Sequence, residues 1–476
     1  MTATVGRRTF LRGAGALAAG MAIGGPLEAF AARAALGAPA HADGYGELVD
    51  KGDLRLPRRF HYRINSRQGE LMSDGNPTPS RFDGGSAFRA GEDETILMRN
   101  HENKRRLTAA GTFAPANEID VIVPDELRYD PNPLWNGGVV RLVVDDRRVE
   151  DSRAVLGGTT HNCAGGPTPW GSWITCEELF QPPPSPAGFT TQRHGYIFEV
   201  DARKKAPSAA VPITSAGRFE HEAVAWFDGA LYETEDRTNA SFYRYLPSTP
   251  PKASGDLAAS NAGLLQALVV SGFPTLDTRS ARGWPGGVGA THSIEWVTIP
   301  APAPALDGPG VGVRFQAQAL GAAIFARTEG CWASRDKIYF DCTTGGGANL
   351  LPPDGNGQVF ALDPAAQTLT LVFQSGGPAE LAKPDNMALS RTGDLFLCED
   401  NPAFLTEPNR IIGMTPEGRV FEFARAITNP TEFCGVCFDP NNHTMYVNQQ
   451  GNAEGGALGV TYAIWGPWKR RRRPDN

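Results

Sequence analysis

Carboxylates recur at one kind of place in this chain, the mouths of short hydrophobic hairpins. Asn162-Cys163 and Cys176-Glu177-Glu178 flank the strand-like Trp170-Gly-Ser-Trp-Ile-Thr175. His221-Glu222 opens a hairpin that Glu233-Thr-Glu235-Asp236-Arg237 closes. Arg327-Thr-Glu329 precedes another, Asp385-Asn386 and Glu399-Asp400 bracket a third, and Glu432 precedes the last. So many carboxylates gathered at one point need cations, because repulsion and lost hydration would otherwise be prohibitive. Oxygen ligands with Asn carbonyls suit a hard ion such as Ca²⁺, whereas a thiol among them points to a transition metal. Taken singly, each acidic pair reads as a solvated or capping group and each cysteine as packing. Only the recurrence favours metals.

The elements that must position these residues are strands. Gly and Pro together make 93 of 476 residues without strict period, which excludes collagen, coiled coils and a mainly helical bundle. Period-2 alternation around a tight turn appears at Ala223–Glu233, Cys331–Phe340, Met387–Leu397 and Val436–Val447. Further strands are expected at 138–145, 195–201, 357–363 and 410–418. The hairpin turns fall near 228, 335, 393 and 441. A unit of 40 to 60 residues with about four strands is the pattern of a β-propeller. The expected fold is all-β, a propeller of five or six blades with loop insertions; a two-sheet sandwich is the competing reading. The interval from 228 to 335 holds either two units or one with an insertion around 247–312. One domain over 43–468 accounts for the length.

The ends read differently. Arg7-Arg8-Thr9-Phe10-Leu11-Arg12 precedes an apolar, Ala/Gly-rich run to Pro26, the form of a twin-arginine export signal. Ala40-His41-Ala42 offers a cleavage site before Asp43, and Ala29-Phe30-Ala31 is an alternative; residues 1–42 are assigned to the signal. A secreted or periplasmic location follows, with the twin-arginine translocase as a partner during export. Without residues 1–42 the chain keeps 41 basic and 51 acidic residues, an excess that argues against nucleic acid and favours cations. Five of the basic residues form the run Lys469–Arg473, and 469–476 reads as a solvated tail. Of seven cysteines, an odd number for an exported chain, Cys434 and Cys437 read as packed or disulfide-linked thiols.

Several blocks carry a resemblance. Asp74-Gly-Asn-Pro-Thr-Pro79, Arg99-Asn-His-Glu102, the long block from Asn162 to Glu178 and Gly217-Arg-Phe-Glu-His-Glu222 resemble the PhoX-type alkaline phosphatase family. Glu235-Asp-Arg237, Glu329-Gly-Cys-Trp332, Asp385-Asn386, Leu397-Cys-Glu-Asp400 and Ala463-Ile-Trp-Gly-Pro-Trp468 continue it. The resemblance implies an exported phosphomonoesterase holding two Fe³⁺ and two or three Ca²⁺. Attack by a metal-bound oxygen would release phosphate from small esters. It implies a bridging thiolate at Cys163 and cluster carboxylates at Glu178, Glu235 and Glu329, with Glu222 a further candidate. Arg327 would hold the phosphate, and Cys163 and Glu329 would share the catalytic role with it. Calcium ligands would come from Asp236, Asp385, Asn386, Glu399, Asp400 and Glu432. A monomer is expected. The chain has no Gly-x-Ser-x-Gly elbow and no P-loop, in keeping with chemistry free of a covalent Ser intermediate. Two other readings use the same fold: a calcium-dependent propeller lactonase or esterase, which would need no cysteine ligand, and a non-catalytic binding propeller.

Overall fold

The computed structural model describes residues 44–469 apart from 93, 105–117, 133, 181–190, 403–406, 417, 442 and 452–455. The export segment, its cleavage sites and the basic run beyond Lys469 lie outside the described residues. Three strands come first, β1 (Leu48–Asp50), β2 (Leu54–Pro57) and β3 (His61–Arg67). Six antiparallel blades follow. Blade 1 is β4 (Phe82–Arg89), β5 (Thr95–His101), β6 (Gly137–Asp145) and β7 (Arg148–Thr159). Blade 2 has β8 (Asn162–Pro167), β9 (Ser172–Glu177) and β10 (Ile197–Asp201), with a single bridge from Phe198 to Pro212 in place of a fourth strand. Blade 3 comprises β11 (His221–Phe227), β12 (Ala230–Glu235), β13 (Tyr243–Pro247), β14 (Gly263–Val270) and β15 (Thr291–Thr298). Blade 4 is β16 (Thr328–Ala333), β17 (Ile338–Cys342), β18 (Gln358–Asp363) and β19 (Thr368–Gln374). Blade 5 is β20 (Pro384–Leu389), β21 (Leu395–Glu399), β22 (Arg410–Met414) and β23 (Val420–Ala426), widened by β2 and β1. Blade 6 is β24 (Phe433–Phe438), β25 (Thr444–Gln449) and β26 (Val460–Trp465).

The innermost strands β4, β8, β11, β16, β20 and β24 touch in a closed ring, so the propeller has six blades. Hydrogen bonding makes only five sheets, because β15 pairs with both β14 and β19 and fuses blades 3 and 4 along their outer edges. The long interval between the hairpin turns near 228 and 335 is therefore one blade with an insertion. The early strand β3 completes blade 6 by pairing with β26, which joins the first and last parts of the described residues. Around this closure Tyr45, Phe60, Phe396, Phe423 and Trp468 meet largely edge to face, with Phe423 and Trp468 stacked.

Small residues let the blades crowd the axis. A Cβ on Gly330 would lie 2.4 Å from the Asp385 carbonyl, and one on Gly435 2.5 Å from the Asp83 carbonyl. Every inner strand also carries a bulge near its start, where its pairing with the second strand shifts register. This shared irregularity puts corresponding residues of all six blades at one level of the channel.

Candidate metal centre

The register defines three tiers of six residues at one end of the channel. Phe82, Asn162, His221, Thr328, Pro384 and Phe433 each pair with the last residue of the second strand. One residue before each lies the outer tier: Arg81, His161, Glu220, Arg327, Lys383 and Glu432. One residue past the second strand lies the middle tier: Glu102, Glu178, Asp236, Thr343, Asp400 and Gln450. In all six blades the middle residue donates its N–H to the outer residue's carbonyl, at 2.9 to 3.2 Å. One residue into each inner strand lies the deep tier: Asp83, Cys163, Glu222, Glu329, Asp385 and Cys434.

Three sets of ligand atoms converge there, each within 4.8 Å: Cys163 with Glu178 and Glu222, Glu222 with Glu329 and Asp385, and Asp83 with Glu102 and Glu432. Arg327 forks onto Asp236, with Nε to Oδ1 at 2.7 Å and Nη2 to Oδ2 at 2.8 Å, and Nη2 also reaches Glu329 Oε1 at 2.7 Å. Lys104 pairs with Glu102 and lies 3.9 Å from Glu178. Cys163 turns its Sγ to the His221 carbonyl at 3.3 Å.

Burial pushes the carboxyls of Asp83, Glu178, Glu222, Glu329, Asp385 and Glu432 well above the ordinary range, and neighbouring carboxylates push the same way. Burial and then Glu222 raise the Cys163 thiol. Burial also disfavours the Asp236 anion, but Arg327 outweighs it and holds that carboxyl below its usual value. The tiers carry ten carboxylates against a few cations. Arg81 is engaged outside them by Glu118, and among the described residues only Glu220, Glu102, Glu178, Asp236 and Glu329 of the ten have a basic partner, Arg237, Lys104 or Arg327. This uncompensated charge, with one thiol in the first set and only oxygens in the other two, fits bound cations of two kinds.

Two expected ligands lie elsewhere. Glu235 is the last residue of β12, so strand alternation turns it away from the channel. Its carboxylate accepts from the Tyr243 hydroxyl (2.7 Å) and from Arg314 (3.3 Å), while Asp236, one residue on, faces the site. Glu399 ends β21 in the same way and is held by Arg410 and the Ala382 N–H at 2.6 to 3.1 Å. Glu177 is their counterpart in blade 2, bonded to His194 at 2.7 Å. Asn386 sits one residue beyond the deep tier, where its Oδ1 accepts from the Gly435 N–H at 2.5 Å and its Nδ2 donates to Asp385 Oδ1 at 2.6 Å; it links blades and braces Asp385 while its own oxygen is taken. Asp400 takes its place in the middle tier, bonded through its N–H to the Lys383 carbonyl at 2.9 Å.

Asp83, Glu102, Gln450 and Cys434 also stand in the tiers, although the sequence alone does not single them out as ligands. Glu102 lies inside a recognisable block, Arg99–Glu102, but Asp83 has no local signal beyond Asp-Gly-Gly. Cys434 is the blade 6 counterpart of Cys163: its Sγ meets the Phe82 carbonyl at 3.1 Å, as Cys163 meets that of His221. Cys434 and Cys437 form no disulfide. The bulge between them sends Cys434 toward the axis and Cys437 into the apolar core with Leu97, Leu142 and Tyr446.

The family model for alkaline phosphatase PhoX matches residues 138–452. The chain belongs to the alkaline phosphatase PhoX family. It is accordingly a phosphomonoesterase, a hydrolase that releases phosphate from phosphate esters. Among solved structures it is similar to Pseudomonas fluorescens PhoX in complex with vanadate, a transition state analogue, at 17% identity and TM-score 0.65, covering 88% of this chain and 97% of that one. At that identity the likeness concerns the fold. The Xanthomonas campestris gluconolactonase XC5397 aligns at 13% identity and TM-score 0.40, over 90% of this chain and 97% of that one. A search of curated proteins found no match. No helix among the described residues is long and apolar enough to cross a membrane.

Proposed function

We propose that the three tiers form the hydrolytic centre of a phosphatase exported by the twin-arginine translocase, which acts as a monomer on small phosphate esters. The observation that carries this reading is the convergence of seven carboxylates and one thiol in three sets beside Arg327. Cys163, Glu178 and Glu222 would hold two Fe³⁺ together with Glu329. Asp83, Glu102, Glu432, Asp236, Asp385 and Asp400 would hold two or three Ca²⁺. When bound, such ions supply Lewis acidity and neutralise phosphoryl oxygens.

The chain's own groups do the positioning. Arg327 spends Nε and Nη2 on the Asp236 and Glu329 carboxylates, which leaves the N–H groups of Nη1 to meet a phosphoryl oxygen. Asp236 and Glu329 fix that guanidinium from both sides, so little side-chain entropy is lost when substrate arrives. Cys163 is buried and turned to the His221 carbonyl, which withholds it from acting as a free nucleophile and supports hydrolysis without a covalent cysteine intermediate.

The test combines p-nitrophenyl phosphate hydrolysis with chelation on protein purified without chelator. EDTA should abolish activity and Ca²⁺ should restore it; indifference to EDTA would remove the calcium assignments. Colourless protein containing calcium alone would support a calcium-only hydrolase instead.

A further inference from the structure

Lys383 occupies in blade 5 the outer-tier place that Arg327 occupies in blade 4, and both adopt positive φ, 56° and 53°. Thr343 ties the two places together. Its N–H bonds the Arg327 carbonyl at 2.9 Å and its hydroxyl bonds the Pro384 carbonyl at 2.5 Å. The basic residues of this tier differ in their partners. Arg81 is matched by Glu118, and Arg327 by Asp236 and Glu329. Lys383 makes no ion pair with a carboxylate among the described residues; its ammonium donates to the Gly355 carbonyl at 2.5 Å. Its N–H is fixed to the same loop, at 3.1 Å from the Asn356 carbonyl. The side chain is half-buried; the Arg327 guanidinium repels its ammonium, while the Asp354 and Asp400 carboxylates attract it without forming an ion pair.

A half-buried ammonium held beside a second cation is costly unless an anion joins them. A phosphoryl group held by Arg327 would leave Lys383 without an ion-pair partner of its own, and with two of its three N–H groups unused. A ligand with a second negative group next to the phosphate would satisfy both. We propose that Lys383 binds this second anionic group, so that the enzyme prefers phosphomonoesters carrying a carboxylate or further phosphate beside the scissile one. The inference rests on Arg327 as the phosphate-holding residue.

The test uses metal-replete protein and calorimetric titration with methylphosphonate and phosphonoacetate, which differ by one carboxylate. Wild-type protein should bind phosphonoacetate about tenfold more tightly, as one charge-assisted contact implies. Lys383→Met should erase that ratio and Lys383→Arg should keep it. The kcat/KM ratio of 2-phosphoglycerate to glycerol 2-phosphate should fall in parallel. Equal wild-type affinities, or a ratio that survives in Lys383→Met, would overturn the proposal while leaving the Arg327 assignment intact. Wild-type protein that binds neither ligand would overturn the Arg327 assignment and this proposal with it.

Discussion

Raising the pH toward 9 should loosen the blade that carries Glu178, through one buried histidine. His194 is fully buried, with Nδ1 at 2.7 Å from Glu177 Oε1 and Nε2 at 3.4 Å from Asp130 Oδ2. Burial disfavours the imidazolium, but Glu177 and Asp130 outweigh it and raise the His194 pKa to about 9. In the unfolded chain a histidine titrates near ~6.5. A raised folded value stabilises fully below the unfolded pKa, and the gain is lost as pH climbs through about 9. At about 1.4 kcal/mol per pH unit, the gap corresponds to about 3 kcal/mol. The assay is urea unfolding of wild type and His194→Gln at pH 6.5 and pH 9.5, with metals replete. The stability difference between the two proteins should shrink by about 3 kcal/mol at the higher pH. A difference that stays constant would refute a charged His194 in the folded state.

Glu235→Gln should destabilise the fold by about 1–3 kcal/mol, since it weakens the Arg314 contact, yet leave metal content per folded molecule unchanged. Asp236→Asn, one residue on, should instead lower metal content per folded molecule, because that side chain faces the site; elemental analysis separates the two variants. Arg327→Ala should raise the KM for p-nitrophenyl phosphate at least tenfold with metal content unchanged, and loss of metals instead would make Arg327 structural. Gly330→Ala should cost about 3 kcal/mol or more and disturb Asp385, because its Cβ would meet the Asp385 carbonyl at 2.4 Å; thermal unfolding and metal content report both effects.

The hairpins legible in the sequence are the inner strands of blades 3 to 6 with their partners, because each alternates cleanly around a tight turn. The inner hairpin of blade 1 carries Gly84 and Gly85 near its start, which hides it from an alternation pattern. The closing pair β3–β26 joins residues nearly 400 apart in the chain, a distance no local signal spans. In the site, Cys163, Glu178, Glu222, Glu329, Asp385 and Glu432 were legible as acidic or thiol residues at hairpin mouths, and the structure gathers them. Glu235 and Glu399 could not be told from Asp236 and Asp400, because one step along a strand reverses the facing direction. Asp83 and Cys434 became visible only when the bulges aligned the six blades.

If the tiers hold iron and calcium for phosphate ester hydrolysis, metal and activity must travel together. Elemental analysis and p-nitrophenyl phosphate turnover should be measured on one chelator-free preparation, with Glu329→Gln alongside. Iron and calcium should be present together, with visible thiolate–ferric colour, and the variant should lose both activity and metal. Full turnover in protein free of both metals, or in Glu329→Gln, would contradict this assignment.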